Sequence, residues 1–156
     1  MSWHLEQYTI FGGSFKKTKT ITVKNTTSVK SKIHELLHCR TEYGNSSKVV
    51  DFVNASVNEG VVELFAEIIC EDNGIPFNPT YTKQVEALTR IAAGLQYDKK
   101  QFAKDLFEVP FSQRYNWIER LVDDVIKNDK VDILTQATLV EDLGIVYGKI
   151  KRKKKK

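Results

Sequence analysis

The stretch Ile33-His34-Glu35-Leu36-Leu37-His38 decides how this chain is read. On a helix, residues four apart project from the same side, so the imidazoles of His34 and His38 can meet one metal ion at about 2.0–2.1 Å. Glu35, beside the first histidine, then stands within reach of a water on that ion. The chain holds three histidines, and two of them take this spacing around a carboxylate. An amphipathic helix with two half-exposed histidines gives the same letters without any chemistry. Two nitrogens do not close a zinc site, which takes at least three protein ligands.

Working outward, a HExxHxxGxxH pattern would place Gly at 41 and His at 44, but Thr41 and Gly44 stand there and His4 is the one other histidine. A carboxylate is therefore expected to complete the site, and Asn58-Glu59-Gly60-Val61-Val62-Glu63 offers two. HELLH followed by this N-E-G segment resembles the gluzincin metallopeptidases, in which a second helix carries a Glu ligand within an N-E-G or N-E-A motif. The resemblance implies a zinc-dependent peptidase that hydrolyses peptide bonds through a zinc-activated water. His34, His38 and Glu59 are then the metal ligands and Glu35 the general base. Glu63, one turn beyond Glu59, would hold a histidine's remaining N–H. The stretch Glu63-Leu64-Phe65-Ala66-Glu67 also resembles the E-F-F-A-E helix of toxin-type zinc peptidases, where the first Glu is the ligand. That alignment moves the third-ligand role to Glu63; the N-E-G context favours Glu59. Phe65-Ala66-Glu67 is similar, to a lesser degree, to a segment of repressor-cleaving zinc peptidases. Glu67 itself reads as a solvated helix edge.

Before the motif, residues 5–10 and 18–23 are rich in Thr and β-branched residues and flank Gly12-Gly13, so they read as two strands of a hairpin. The resemblance implies that the second strand is an open edge that binds extended peptide by strand addition, with Thr18, Thr20 and Thr22 as substrate-binding positions. Thr26, Thr27 or Ser28 caps the helix that begins near Val29. Residues 41–47 read as loop and 49–53 as a short apolar helix. Asn58 is the expected cap of a helix over 59–70 whose Val62, Phe65, Ala66 and Ile69 form one buried face. Past a turn-rich connector at 75–79, four helices follow. They span 81–93 capped by Thr80, 99–108 capped by Asp98, 113–127 capped by Ser112, and 133–147.

The expected class is α+β, a small N-terminal hairpin or sheet packed on the HExxH helix, followed by a helical half. One domain covers 1–148, with a zinc half over 1–75 and a helical half over 76–148, and a basic, disordered tail occupies 149–156. The superfamily resembled usually adds a Tyr or His donor for the oxyanion. With no histidine after His38, Tyr81 at a helix start is the expected donor, and Tyr97 and Tyr115 are its rivals. The resemblance covers roughly residues 11–95, and beyond them pattern alone is available.

Composition agrees with a single ordinary domain: 156 residues, 41% hydrophobic and 10% aromatic. The net charge of +4 conceals an asymmetry, because the six basic residues 151–156 leave the remainder at −2. Such a tail points first to a solvated end and second to nucleic acid or an anionic surface. No Gly-rich phosphate loop is visible. Nor does any run of 18 apolar residues suggest a membrane span. The start lacks the basic and apolar regions of a signal peptide, and Cys39 and Cys70 read as buried thiols, with a disulfide between the two zinc-site helices as the alternative. A cytoplasmic zinc peptidase acting on a peptide or protein is therefore the leading expectation. A catalytically inactive peptidase-like binding module and a helical interaction domain with a basic tail are the alternatives.

Overall fold

Helix α1 (Val29–Arg40) starts where the Ser28 hydroxyl accepts the Ser31 N–H at 3.2 Å, one of the three caps expected there. Helix α2 (Ala55–Asp72) buries Val57, Val61, Val62, Leu64, Ala66 and Ile68, positions that point to several sides of the helix and place it inside the helical assembly. It begins four residues ahead of the expected start, so Asn58 lies in its first turn and is not its cap. Four more helices follow: α3 (Thr82–Gly94), α4 (Lys99–Glu108), α5 (Arg114–Lys127) and α6 (Ile133–Tyr147). Asp98 caps α4 and Asp132 caps α6 by accepting N–H groups of Gln101 and Thr135. A 3₁₀ turn over Phe111–Gln113 replaces the expected Ser112 cap of α5. At the start of α3, Thr80 is not the cap; that position is Tyr81, in the left-handed region with φ 48°.

This computed structural model describes the backbone of residues 2–12 and 15–24, and backbone and side chains of residues 28–41 and 55–148. The expected loop and short helix over 42–54, the caps Thr26 and Thr27, and the tail over 149–156 lie outside the described residues. Across residues 28–41 and 55–148, 79% are helical and none is in a strand, so the fold is all-α and the expected α+β class is corrected. The physical reason lies in the N-terminal segments. Ser2–Gly12 and Phe15–Lys24 pair only with each other as an antiparallel ribbon, and two strands do not make a sheet layer that a domain can be built on. The layers that enclose the core are helices.

Helix α2 divides that core. On one side Val57, Val61, Leu64 and Ile68 pack against Leu88 and Ile91 of α3, Phe102 and Leu106 of α4, Ile118 of α5 and Leu139 of α6. On another, Val62 and Ala66 pack against Leu37 of α1, with Ile33, Phe65, Ile69 and Phe107 around them. Of the face expected on α2, Val62 and Ala66 are fully buried and Phe65 and Ile69 partly so. Gly60 permits the approach of α3, because a Cβ there would come within 2.8 Å of Gln84 Cβ. Asp142, buried on α6, accepts the Arg90 guanidinium of α3 through both oxygens and ties the last helix to the body. No helix among the described residues is long and apolar enough to cross a membrane.

Candidate metal centre

Helices α1 and α2 face each other through two rows of polar side chains, each at one-turn spacing. Lys30, His34 and His38 form the row on α1, and Glu59, Glu63 and Glu67 the row on α2. The rows pair in opposite chain directions. His38 Nε2 and His34 Nε2 each lie 3.0 Å from Glu59 Oε1 and 2.9 Å from one another. One turn along, His34 Nδ1 meets Glu63 Oε1 at 2.8 Å, and Lys30 Nζ meets Glu63 Oε2 at 2.6 Å. The apolar seam of Leu37, Val62 and Ala66 beside these rows excludes water from one flank.

The protons at this junction are constrained. Glu63 accepts hydrogen bonds, so the His34 proton at Nδ1 donates to it, and a neutral imidazole then carries its lone pair on Nε2. That lone pair faces a carboxylate oxygen and a second imidazole nitrogen, all within 3.0 Å. Acceptors this close repel unless a positive centre lies among them. In the metal-free protein a proton takes that place. Burial lowers the His34 pKa, but hydrogen bonds and charges of Glu59 and Glu63 outweigh it and raise it to about 9. Hydrogen bonds from His34 and His38 hold Glu59 near 2 against its own burial. A divalent ion suits the same three atoms. Their separations are slightly below the roughly 3.3 Å edge of a tetrahedral zinc site, and two imidazoles with a carboxylate are a zinc donor set. His34, Glu35 and His38 also offer ligand atoms within 4.8 Å of one another, so a Glu35 carboxylate oxygen lies close to both imidazoles.

Glu63 is wholly buried and stands behind His34, on the ring edge opposite Nε2. Its Oε2 accepts Lys30 Nζ and the Thr80 N–H at 3.3 Å, while Lys30 also donates to Asn78 O and Thr80 Oγ1, both at 2.9 Å. Burial works against ionising Glu63, but hydrogen bonds from His34, Glu67, Lys30 and Thr80 keep its carboxyl well below the usual range. Glu67 is not the solvated edge expected from periodicity. Burial first, then the neighbouring Glu63, push its pKa up to about 8, which favours its neutral form beside the ionised Glu63. Its Oε2 is buried without a hydrogen-bond partner among the described residues.

Tyr81 leans over the junction from the start of α3. Its ring stacks on His34 with centroids 5.6 Å apart and planes 15° from parallel. A tyrosine at positive φ is uncommon and costs on the order of 1–2 kcal/mol, which the anchored residues 78–80 before it sustain. Burial and the carboxylates of Glu59 and Glu35 raise its pKa. The rivals are elsewhere: Tyr97 donates to Asp105, and Tyr115 packs against Tyr147.

From the C-terminal helices, Arg114 is fully buried and donates to Leu106 O, Val109 O and Phe107 O, the terminal carbonyls of α4. It also donates to Asn58 Oδ1, which turns the amide nitrogen of Asn58 toward His38 Nδ1 at 3.4 Å, long for a hydrogen bond. The sequence reading passed over Lys30 and Arg114. Lys30 had a visible signal, its position one turn before His34; Arg114 had none. Thr20 and Thr22 lie on the ribbon opposite Glu6 and His4, and the side chains of Thr18, Thr20 and Thr22 lie outside the described residues. Cys39 and Cys70 are buried thiols and form no disulfide. No family model, curated protein or solved structure matches this chain.

Proposed function

We propose that this chain is a zinc-dependent metallopeptidase of the gluzincin type, with His34, His38 and Glu59 holding the ion. The observation that carries the reading is the junction of three lone-pair atoms within 3.0 Å of one another, backed by a carboxylate that commits the other His34 nitrogen to donation. Zinc bound there supplies Lewis-acid polarisation of a carbonyl and a lowered water pKa. The protein's own groups do the rest. Glu35 takes the proton of the attacking water and delivers it to the departing amine. The Tyr81 hydroxyl, kept protonated by its raised pKa, donates to the oxyanion that develops on the substrate. Glu63 keeps the His34 proton on Nδ1. The edge of the strand Phe15–Lys24, with Thr18, Thr20 and Thr22, receives the peptide as an added strand. A reducing, cytoplasmic compartment suits the buried thiols Cys39 and Cys70.

One observation favours a second reading, an inactive binding module: the same cluster closes on a proton without metal. Zinc analysis and peptide cleavage, run on wild type and Glu35→Gln, separate the two. The peptidase reading expects about one zinc per chain in both proteins. It also expects turnover in the wild type alone. A wild type without zinc, or a fully active Glu35→Gln, refutes it.

A further inference from the structure

Lys30 is 2% exposed, and its three ammonium protons meet three acceptors: Glu63 Oε2, Asn78 O and Thr80 Oγ1. Lysine is almost never buried to this degree unless paired. Neither the ligand set nor the proposed chemistry uses it. Electrostatically it opposes its surroundings, because a fixed positive charge one helical turn from His34 disfavours a divalent ion.

The geometry gives it a different task. One oxygen of Glu63 holds His34 Nδ1, and the other is held by Lys30 Nζ and the Thr80 N–H. With Oε2 fixed from two sides, the carboxylate does not turn, and Oε1 stays against the imidazole. Lys30 is itself fixed by the residues before α3, so the anchor runs from the segment at 78–80 through Lys30 and Glu63 to the ring.

We propose that Lys30 is a positioning residue for His34: by gripping Glu63 Oε2 it fixes the carboxylate that aims the imidazole at the shared centre. The inference rests on the metal-centre reading. It makes a prediction opposite in sign to simple electrostatics. Removing the positive charge should tighten zinc if charge is all that Lys30 contributes, and weaken it if Lys30 orients the ligand.

The experiment is a competition titration with a chromogenic chelator on wild type, Lys30→Met, Glu63→Gln and the double variant, with the d–d spectrum of the cobalt-loaded proteins alongside. Lys30→Met is expected to weaken zinc about 10–100-fold, the size of losses at groups that orient metal ligands, and to shift the cobalt bands. The double variant is expected to match Glu63→Gln within about threefold, because both changes act through one carboxylate. Unchanged or tighter zinc binding by folded Lys30→Met overturns the proposal, and so does additivity in the double variant. If Lys30→Met does not fold, Thr80→Val removes one anchor at an exposed position without stranding a charge. A weakening of about threefold or more then supports the role, and no change overturns it. A wild type that takes up no zinc removes the metal-centre reading and this proposal together, an outcome distinct from all of these.

Discussion

Zinc titrated into the metal-free protein at pH 7 should expel about one proton per ion, and the source is His34. Its pKa near 9 keeps Nε2 protonated at neutral pH, where that proton sits between the ring and Glu59. The ion and the proton compete for one lone pair. Two pH units below 9, the competition weakens uptake about 100-fold, or about 2.7 kcal/mol, relative to the alkaline limit. The apparent Kd should therefore tighten roughly tenfold per unit from pH 7 toward 9 and then level. Without metal the sign reverses. The folded pKa of His34 lies above its unfolded value of 6.5, so its contribution to stability is complete below 6.5 and is lost as pH rises through about 9. The full loss is on the order of 3 kcal/mol. Calorimetric titrations in buffers of different ionisation enthalpy count the protons released, and urea unfolding across pH 6–10 reads the slopes of the two forms. Zinc uptake with no proton release and a flat pH profile would refute the proton account of the junction.

Three further outcomes are expected. Glu59→Ala should strip most of the zinc, whereas Glu63→Ala should weaken it about 10–100-fold, as measured by metal content after dialysis; the reverse order assigns the third ligand to Glu63. Tyr81→Phe should lower kcat about 10²–10³-fold with zinc content and folding intact, and a wild-type kcat removes Tyr81 from the chemistry. Gly60→Ala should cost about 1–3 kcal/mol in urea unfolding, because the added Cβ would press on Gln84 at 2.8 Å; an unchanged midpoint would show that α2 and α3 part freely there.

The local parts of this architecture were legible in the sequence because their causes are local. The i, i+4 spacing of His34 and His38, the caps at Ser28 and Asp98, and the bounds of the fourth and sixth helices follow from helix geometry and capping alone. The support behind His34 was half legible: Glu63, one turn beyond Glu59, was visible, but its total burial was not. Glu67 was misjudged because periodicity assigns a glutamate to solvent, while here the side chain is half-buried with one oxygen, Oε2, out of solvent. Arg114 joins residues 56 positions apart, a contact no spacing rule reaches. The fold class failed for a related reason. Strand propensity in the N-terminal segments is real, but class depends on which layers enclose the core, and those are helices.

The spacing of the acidic row also bears on how the two helices find their alignment. Glu59, Glu63 and Glu67 are followed, again four residues on, by Glu71. Sliding α1 by one turn, about 6 Å, would bring His38 to Glu63 and both His34 and Lys30 to Glu67, with every rung filled again. The seam of Leu37 against Val62 and Ala66 is a weak judge between the two, since Val62 and Ala66 are themselves one turn apart. What the slid arrangement lacks is Asn78 O and Thr80 Oγ1 under the lysine. These two neutral oxygens, with the Thr80 N–H on Glu63 and the Tyr81 ring on His34, thus favour the observed partner of each histidine. The two rival alignments of the third ligand in the sequence are the written trace of that near-degeneracy.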